Sequence, residues 1–298
     1  MKIVIAGASG LIGRALLPAL RDRGHEVIRL VRIPARGADE IFWRPENREL
    51  DGEQLVGTDA IINLAGENIA GGRWTAARRE RILASRVDAT RTLVTTCAKM
   101  KQKATVFINA SAVGFYGDAG DDEVTEASPA GHGFLPETCL IWETNAESAA
   151  RAGMRTVLLR FGVVLAANGG ALAKMLPVFR LGLGGRMGAG SQWMSWVSID
   201  DAVGAAMHAL DHSACSGAVN VVAPEPVTNA DFTATLARVL NRPAAFPVPS
   251  WLLRAVFGQM AVETILASTR ARPGRLSATG YVFRFTDLEA ALRAAVAR

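Results

Sequence analysis

Residues 3–13 read Ile-Val-Ile-Ala-Gly-Ala-Ser-Gly-Leu-Ile-Gly. The apolar run Ile3–Ala6 predicts a buried strand, and apolar residues recur at helical spacing from Leu11 onward. Glycines stand between the two, at positions 7, 10 and 13. A glycine-rich turn from a strand into a helix can hold two linked phosphates at the helix N-terminus. The stretch therefore predicts a dinucleotide-binding turn, against the alternative of an ordinary glycine-rich turn.

Each glycine of this turn has an expected role. Gly7 permits a tight turn, Gly10 lets the backbone approach a pyrophosphate, and Gly13 lets the helix pack closely on the strand. The residues expected to contact the cofactor here are Gly7, Ser9, Gly10, Leu11, Ile12 and Gly13.

Strands and helices alternate along most of the chain, which is typical of a parallel sheet covered on both faces. The pattern predicts strands at 3–6, 26–31, 59–64, 105–110, 155–161 and 219–222, and helices at 11–20, 74–101, 136–151, 199–210, 228–240 and 287–297. We therefore expect an α/β, Rossmann-type, doubly wound parallel sheet with a smaller C-terminal substrate and helical region.

The amino-acid composition changes after Gly162, where glycine-rich stretches begin, and again at the proline-containing stretch 242–249. We expect an NADP-binding Rossmann domain at 1–165, to which later segments return. A substrate-side region at 166–240 and a C-terminal helical module at 241–298 should follow it.

The end of the second strand bears on the choice of dinucleotide. An NAD-binding site places Asp or Glu there, about 20 residues past the glycines, on the ribose 2′-hydroxyl. This chain has Arg29-Leu30-Val31-Arg32 instead, and a guanidinium can bind a 2′-phosphate. We expect NADP(H), with Arg32 as the main contact and Arg29 as second choice; the alternative is that both are solvated surface charges.

A set of motifs distributed over the whole chain resembles one family. These motifs are GASGLIG (7–13), NLAGENI (63–69), NASAVGFYG (109–117), Trp142-Glu143, RFGVVL (160–165), WMSW (193–196) and the tail 273–292. Together they resemble an atypical, "epimerase family" subgroup of extended short-chain dehydrogenases/reductases that carries a C-terminal domain of unknown function. The resemblance implies that Leu64, Ala65 and Gly66 also contact the cofactor.

The usual chemistry of that superfamily requires a Tyr-x-x-x-Lys pair, in which the lysine lowers the pKa of the tyrosine. Neither Tyr116 nor Tyr281 is followed by lysine four residues later. Cys139 to Glu143 stand at the expected place, with Glu143 where the lysine would fall. A carboxylate cannot replace the ammonium, so the usual mechanism is in doubt.

Other residues remain as candidates for the reaction. Ser111 matches the superfamily's serine, and Tyr116 could supply a proton, so we expect these two as catalytic residues. The alternatives are a strand-end hydrogen bond for Ser111 and packing for Tyr116. We expect Glu67, Asn68, Arg86 and Trp193 in the substrate pocket, although Glu67 and Asn68 could instead cap a turn.

Composition restricts the partners and the compartment. Cys97, Cys139 and Cys215 are far apart and show neither a disulfide framework nor a metal motif. No apolar run is long enough to span a bilayer, and the arginines of helix 74–101 spread over more than one face. We expect a cytoplasmic protein with an unidentified small-molecule substrate, no metal, and no nucleic-acid or membrane partner, and allow for a homodimer.

Two classes of function remain. The first is an NADP-dependent oxidoreductase or epimerase, favoured because a bound nicotinamide normally moves hydride. The second is a non-catalytic NADP-binding sensor or regulatory protein, suggested by the missing Tyr-Lys pair. DNA binding by the arginine-rich helix is a third reading, and it requires a clustered basic stripe that the sequence lacks.

Overall fold

The computed structural model describes residues 1–100, 102 and 104–297. Lys101, where the predicted helix 74–101 ends, and the last residue of the predicted C-terminal module lie outside these residues. The strands are β1 (Lys2–Ala6), β2 (Glu26–Val31), β3 (Glu40–Arg44), β4 (Glu49–Leu50), β5 (Ala60–Asn63), β6 (Val106–Ala112), β7 (Glu123–Val124), β8 (Arg155–Phe161), β9 (Val163–Leu165), β10 (Trp193–Met194), β11 (Trp196–Ser198), β12 (Gly217–Val221), β13 (Val227–Thr228) and β14 (Arg270–Ala271).

The main sheet has the strand order β12-β8-β6-β5-β1-β2-β3-β4. All of its pairs are parallel except the last, β3 with β4. The chain runs from β1 outward to β2 and β3, and later returns to the other side of β1 with β5. This reversal places the carboxyl end of β1 at the switch point, where open α/β sheets bind ligands. The predicted fold class is confirmed.

Helices cover both faces of the sheet. They are α1 (Leu11–Asp22), α2 (Ala76–Lys99), α3 (Phe134–Arg151), α4 (Gly170–Arg180), α5 (Ile199–Asp211), α6 (Asn229–Leu240), α7 (Ser250–Phe257), α8 (Gly274–Ala278) and α9 (Leu288–Val296). One core lies between the sheet and α1 with α5, and the other lies between the sheet and α2 with α3. Strand residues such as Ile5 and Ile61 are fully buried because both faces are covered.

The later part of the chain both joins the sheet and builds a separate core. Strand β12 is the edge strand of the main sheet beside β8. Helices α4, α6 and α9 enclose a third apolar core around Phe232 and Trp196. Residues 184–188 lie beside 246–248, with Phe246 N–H donating to the Gly184 carbonyl at 3.1 Å and Val248 N–H to that of Arg186 at 2.9 Å. Among the described residues, no helix combines the length and apolar character needed to cross a bilayer.

Candidate cofactor and active site

The turn from β1 into α1 depends on close backbone contacts that only glycine allows. Gly7 has a φ of +80°, and a Cβ on it would lie 2.6 Å from the carbonyl carbon of Leu64. A Cβ on Gly13 would lie 2.3 Å from the carbonyl oxygen of Gly7. Gly10 N–H donates to that same oxygen at 3.0 Å and closes the turn. The glycines at positions 7 and 13 are therefore required by the shape of the turn.

The N-terminus of α1 is open and electropositive. Gly10 is its N-cap and has no side chain to occupy the free N–H groups of the first turn, and that turn contains no acidic residue. Ser9 and Gly10 are exposed, and Leu11 and Ile12 are half-buried. Free N–H groups and the helix dipole together favour an anion here. The side chain of Leu11 points toward Gly169, whose Cβ would lie 2.8 Å from it.

The two arginines of β2 have different environments. The guanidinium of Arg29 forms ion pairs with Asp39 at 3.2 Å and Glu40 at 2.9 Å, and it is partly buried. Arg32 follows the last residue of β2, is exposed, and forms no ion pair with any described residue. Since β1 and β2 are parallel neighbours, Arg32 lies at the same sheet edge as the glycine turn. Arg32 is thus the arginine that is free to bind an incoming anion.

A buried amide network positions the turn after β5. Asn63 Nδ2 donates to Asn109 Oδ1 at 2.7 Å and to Thr90 Oγ1 at 3.0 Å. Trp142 Nε1 also donates to Thr90 Oγ1, at 3.0 Å. Asn63 Oδ1 accepts from Ala65 N–H at 3.2 Å. The turn Leu64–Gly66 is therefore held by side chains from β5, β6, α2 and α3.

Ser111 and Glu143 belong to a second buried network. The Ser111 hydroxyl donates to Glu143 Oε1 at 2.6 Å. Arg160 Nε donates to Oε1 at 2.8 Å and Nη2 to Oε2 at 2.7 Å, so the carboxylate is bound at both oxygens. Burial would lower the pKa of Arg160, but its bonds to Glu143 raise it above the ordinary value. The pair is therefore an ion pair in the interior of the protein.

Tyr116 joins the same network from the opposite side. It is 3% exposed, donates to Asn220 Oδ1 at 2.7 Å and accepts from Arg160 Nη1 at 2.9 Å. Burial raises the pKa of Tyr116, and Arg160 opposes that rise. The structure thus brings both predicted catalytic residues into one network, and both hydroxyl protons are already donated to other side chains.

Arg86 lies beside the turn after β5. Its Nη1 donates to the carbonyls of Glu67 at 3.1 Å and Ile82 at 2.9 Å, and its guanidinium carbon is 5.0 Å from the centre of the Trp142 ring. A Cβ on Gly66 would lie 3.2 Å from that carbon. Burial lowers the pKa of Arg86, which Cys139 and Glu67 oppose. Burial also raises the pKa of the Cys139 thiol to about 11, so the thiol is protonated at neutral pH.

The other predicted pocket residues have partners within the protein. Asn68 Oδ1 accepts from Ala70 N–H at 2.9 Å, which is the turn-capping alternative. The Glu67 carboxylate lies 3.8 Å from Arg78 Nη2. Trp193 Nε1 donates to Asp121 at 3.1 Å, and Arg270 covers its ring. Trp193 therefore joins β10 to the loop before β7. In the described chain, no group of three or more His, Cys, Asp or Glu side chains is arranged to hold a metal.

Sequence reasoning did not identify Arg160 and Asn220 as part of the site. Each is a polar residue within an apolar strand, β8 and β12 respectively, and both are buried. A charged residue inside a buried strand requires a partner of opposite charge, and this was the available signal. The partner could not be identified from sequence, because Glu143 lies on a different element.

Two family models match two separate ranges of the chain. Residues 3–222 match the model of the NAD dependent epimerase/dehydratase family. Residues 248–295 match a domain of unknown function, DUF1731.

Relatives align over nearly the whole length. The chain is 44% identical over 296 residues to the epimerase family protein Mb2239 of Mycobacterium bovis, covering 99% of this chain and 98% of that one. It is similar to the crystal structure of human epimerase family protein SDR39U1 (isoform 2) with NADPH, with a TM-score of 0.89, 35% identity, and coverage of 100% and 99%. A nucleoside-diphosphate sugar epimerase from Corynebacterium glutamicum gives a TM-score of 0.80 at 38% identity, covering 98% of this chain and 57% of that one.

Proposed function

Since the chain belongs to the NAD dependent epimerase/dehydratase family, we propose that it binds NADP(H) at the turn from β1 into α1. The observation that carries the proposal is the glycine cradle at Gly7 and Gly13 below an uncapped helix N-terminus. These residues fit a pyrophosphate, because backbone N–H groups can donate to it and, among the described residues, no side chain caps this helix end. The human relative crystallised with NADPH supports this choice.

Two further contacts follow from the position of the cradle. Arg32 supplies a free guanidinium for the 2′-phosphate, while Arg29 is neutralised by Asp39 and Glu40. The turn Leu64–Gly66, held by Asn63, contacts the cofactor from the β5 side. The cofactor, when bound, supplies hydride transfer.

We assign the reaction to the oxidoreductase or epimerase class, acting on a small molecule at the carboxyl edge of the sheet. Ser111 and Tyr116 are the proposed catalytic residues, and Glu67, Asn68, Arg86 and Trp193 the proposed pocket residues. Because the Ser111 proton is donated to Glu143, the role we propose for its oxygen is to accept from a substrate hydroxyl. Arg86 adds a positive charge that Trp142 and two carbonyls hold in place.

A second candidate is a protein that binds NADP(H) without turning it over. The observation that favours it is the bonding of both proposed catalytic hydroxyls. Tyr116 is buried with its donor and acceptor capacity engaged, and Ser111 is bonded to Glu143. A proton donor for a substrate would have to break one of these bonds first.

Turnover distinguishes the two candidates. The full chain with NADPH is offered a panel of aldehydes, ketones, 2-oxo acids and nucleotide sugars, and NADPH oxidation and sugar epimerisation are measured. For an enzyme, Ser111→Ala should lower kcat/KM on the active substrate by about 100-fold or more while NADPH affinity stays the same. Tight NADPH binding without turnover of any compound would exclude these reactions and favour the second candidate.

A further inference from the structure

Two stretches of the chain contain no acidic residue at all. Residues 163–199 and 232–262 carry six lysines and arginines and no Asp or Glu, which exceeds the formal net charge of +5 of the whole chain. The two stretches lie side by side. The backbone bonds between 184–188 and 246–248 join them, and Arg242 Nε donates to the carbonyl of Arg180 at 3.0 Å. The fold thus concentrates positive charge where these stretches meet.

The same stretches expose large apolar side chains. The exposed fraction is 74% for Leu181, 53% for Leu183, 56% for Phe246, 68% for Trp251, 38% for Leu252 and 52% for Val256. We refer to the surface formed by these six residues and the arginines beside them, Arg180, Arg186, Arg242 and Arg254, as the basic apolar face. Large apolar side chains exposed on adjoining stretches are typical of a surface that contacts a partner or a membrane.

Helix α7 carries three of the six exposed apolar residues of this face. Of the residues of α7, Leu253 alone is buried. Trp251, Leu252 and Val256 point away from the protein, and Arg254 on the same helix is exposed. A short helix with tryptophan and aliphatic side chains on one side and arginine beside them is typical of an element that lies in a membrane interface.

The cations around this face lack acidic partners within the protein. Arg180, Arg186, Arg242 and Arg254 are exposed, and none forms an ion pair with a described residue. Arg238 of the second stretch is the exception, because it pairs with Glu289 of α9, as the exposed Arg293 also does. Unpaired arginines next to exposed apolar side chains complement a surface that is negatively charged outside and apolar inside.

We propose that the basic apolar face docks this protein on an anionic lipid bilayer. Trp251, Phe246 and the leucines would enter the headgroup and upper acyl region, and the four arginines would lie at the level of the lipid phosphates. Our sequence prediction of no membrane partner depended on the absence of a spanning segment, and contact at the surface requires none. The proposal concerns a surface separate from the glycine cradle and goes beyond the proposed cofactor function.

The site lies close to this face. Arg73, on the loop after β5, donates from Nη1 to the carbonyl of Ala255 at 3.2 Å, and Lys174 of α4 donates to the carbonyl of Ala70. The loop that borders the candidate site is therefore bonded to both stretches that carry the face. Docking would place the candidate site beside the bilayer surface.

Vesicle sedimentation tests the proposal with the full chain. The protein is mixed with vesicles of phosphatidylcholine alone, or of phosphatidylcholine with one third phosphatidylglycerol, at low and high salt. We expect binding to the anionic vesicles, weaker binding at high salt, and little binding to neutral vesicles. Phe246→Ser with Trp251→Ser should weaken the binding by about tenfold or more. Leu140→Ser with Ile141→Ser is the matched control, since those residues are exposed on α3 near Glu137 and Glu147, and it should bind like the wild type.

Three results would overturn the proposal. They are absence of binding to anionic vesicles at low salt, equal binding by the Phe246/Trp251 variant, and equal loss in the α3 control. Sedimentation equilibrium without lipid adds a further check. Self-association that the Phe246/Trp251 variant abolishes would assign the face to a second copy of the chain instead. NADPH titration of each variant checks that the fold is retained, which we expect because all four side chains are at least 40% exposed.

Discussion

Glu143 and Arg160 form a buried ion pair within the network that holds both proposed catalytic residues. The position expected to hold a lysine carries a glutamate, and the chain neutralises it with an arginine from β8. Both side chains are 5% exposed, so neither charge is solvated by bulk water. The arginine also lies over the Phe115 ring at 3.5 Å. Glu143 is therefore committed to Arg160 in the interior of the protein.

Breaking this pair should be costly. Glu143→Gln leaves the Arg160 charge buried without a counter-charge, which typically lowers the free energy of unfolding by about 3–5 kcal/mol. Urea unfolding measures the loss. Glu289→Gln removes the partner of two exposed arginines and should cost much less, because water screens that pairing, so similar losses in the two variants would contradict the argument.

A single methyl group tests the glycine cradle. Gly13→Ala would place Cβ 2.3 Å from the Gly7 carbonyl oxygen, so the turn must shift. We expect NADPH affinity to fall by about 100-fold or more. Gly52→Ala is the control, because its Cβ would meet Thr96 at 3.4 Å, an ordinary contact, and it should bind NADPH like the wild type.

At the scale of elements, α5 carries a histidine whose protonation the fold opposes. Burial lowers the pKa of His208; His212, stacked on it at 3.8 Å, lowers it further, and Asp211 opposes this. The folded protein therefore binds this proton less readily than the unfolded chain, whose histidine has a pKa of about 6.5. The stabilisation is complete above that pH and is lost as the pH falls below it.

The corresponding prediction concerns the slope of stability with pH. The free energy of unfolding should decrease between about pH 7 and pH 5, and His208→Gln should flatten that decrease. Urea unfolding at several pH values measures it. His132→Gln alters an exposed histidine and should leave the slope unchanged; an equal slope in the His208 variant would show that another group is responsible.

Helices and strands whose apolar residues recur at regular spacing could be predicted from sequence, whereas contacts between side chains far apart in the sequence could not. Strands β2 and β8 have the predicted bounds and β1 begins one residue before its predicted start, because local apolar spacing determines them. Strand β3 was missed, since only Ile41 and Trp43 are buried in a charged segment. The glycine-rich turn is built from consecutive residues, so it could be predicted from sequence. The Ser111–Glu143–Arg160–Tyr116 network joins β6, α3, β8 and the segment that follows β6, and no local pattern specifies it.

At the scale of the whole molecule, Asp201 attaches the C-terminal segment to the sheet domain. It is 1% exposed and accepts from the N–H groups of Arg284 at 2.7 Å and Phe285 at 3.1 Å, and from the Tyr281 hydroxyl at 3.1 Å. Burial raises the pKa of Tyr281, and Asp201 raises it further, so the phenol remains a donor. One carboxylate thus joins α5 to the segment before α9.

Removing this carboxylate should loosen the C-terminal segment. Asp201→Ala leaves buried N–H groups without acceptors, and we expect a loss of about 2–4 kcal/mol in the free energy of unfolding. Limited proteolysis should then cleave earlier between α8 and α9. Asp211→Ala, on the same helix, removes the partner of the exposed Arg23 and should change neither measurement by much; early cleavage in both variants would argue against a specific role for Asp201.

Calorimetric titration of the full chain with NADPH and with NADH tests the central claim most directly. The glycine cradle and the free Arg32 predict that both bind, that NADPH binds more tightly, and that Arg32→Gln reduces its advantage by about tenfold or more. Arg293→Gln, on α9, should leave the preference intact. Failure of both nucleotides to bind the folded chain would contradict the claim, and tighter binding of NADH would contradict the role of Arg32.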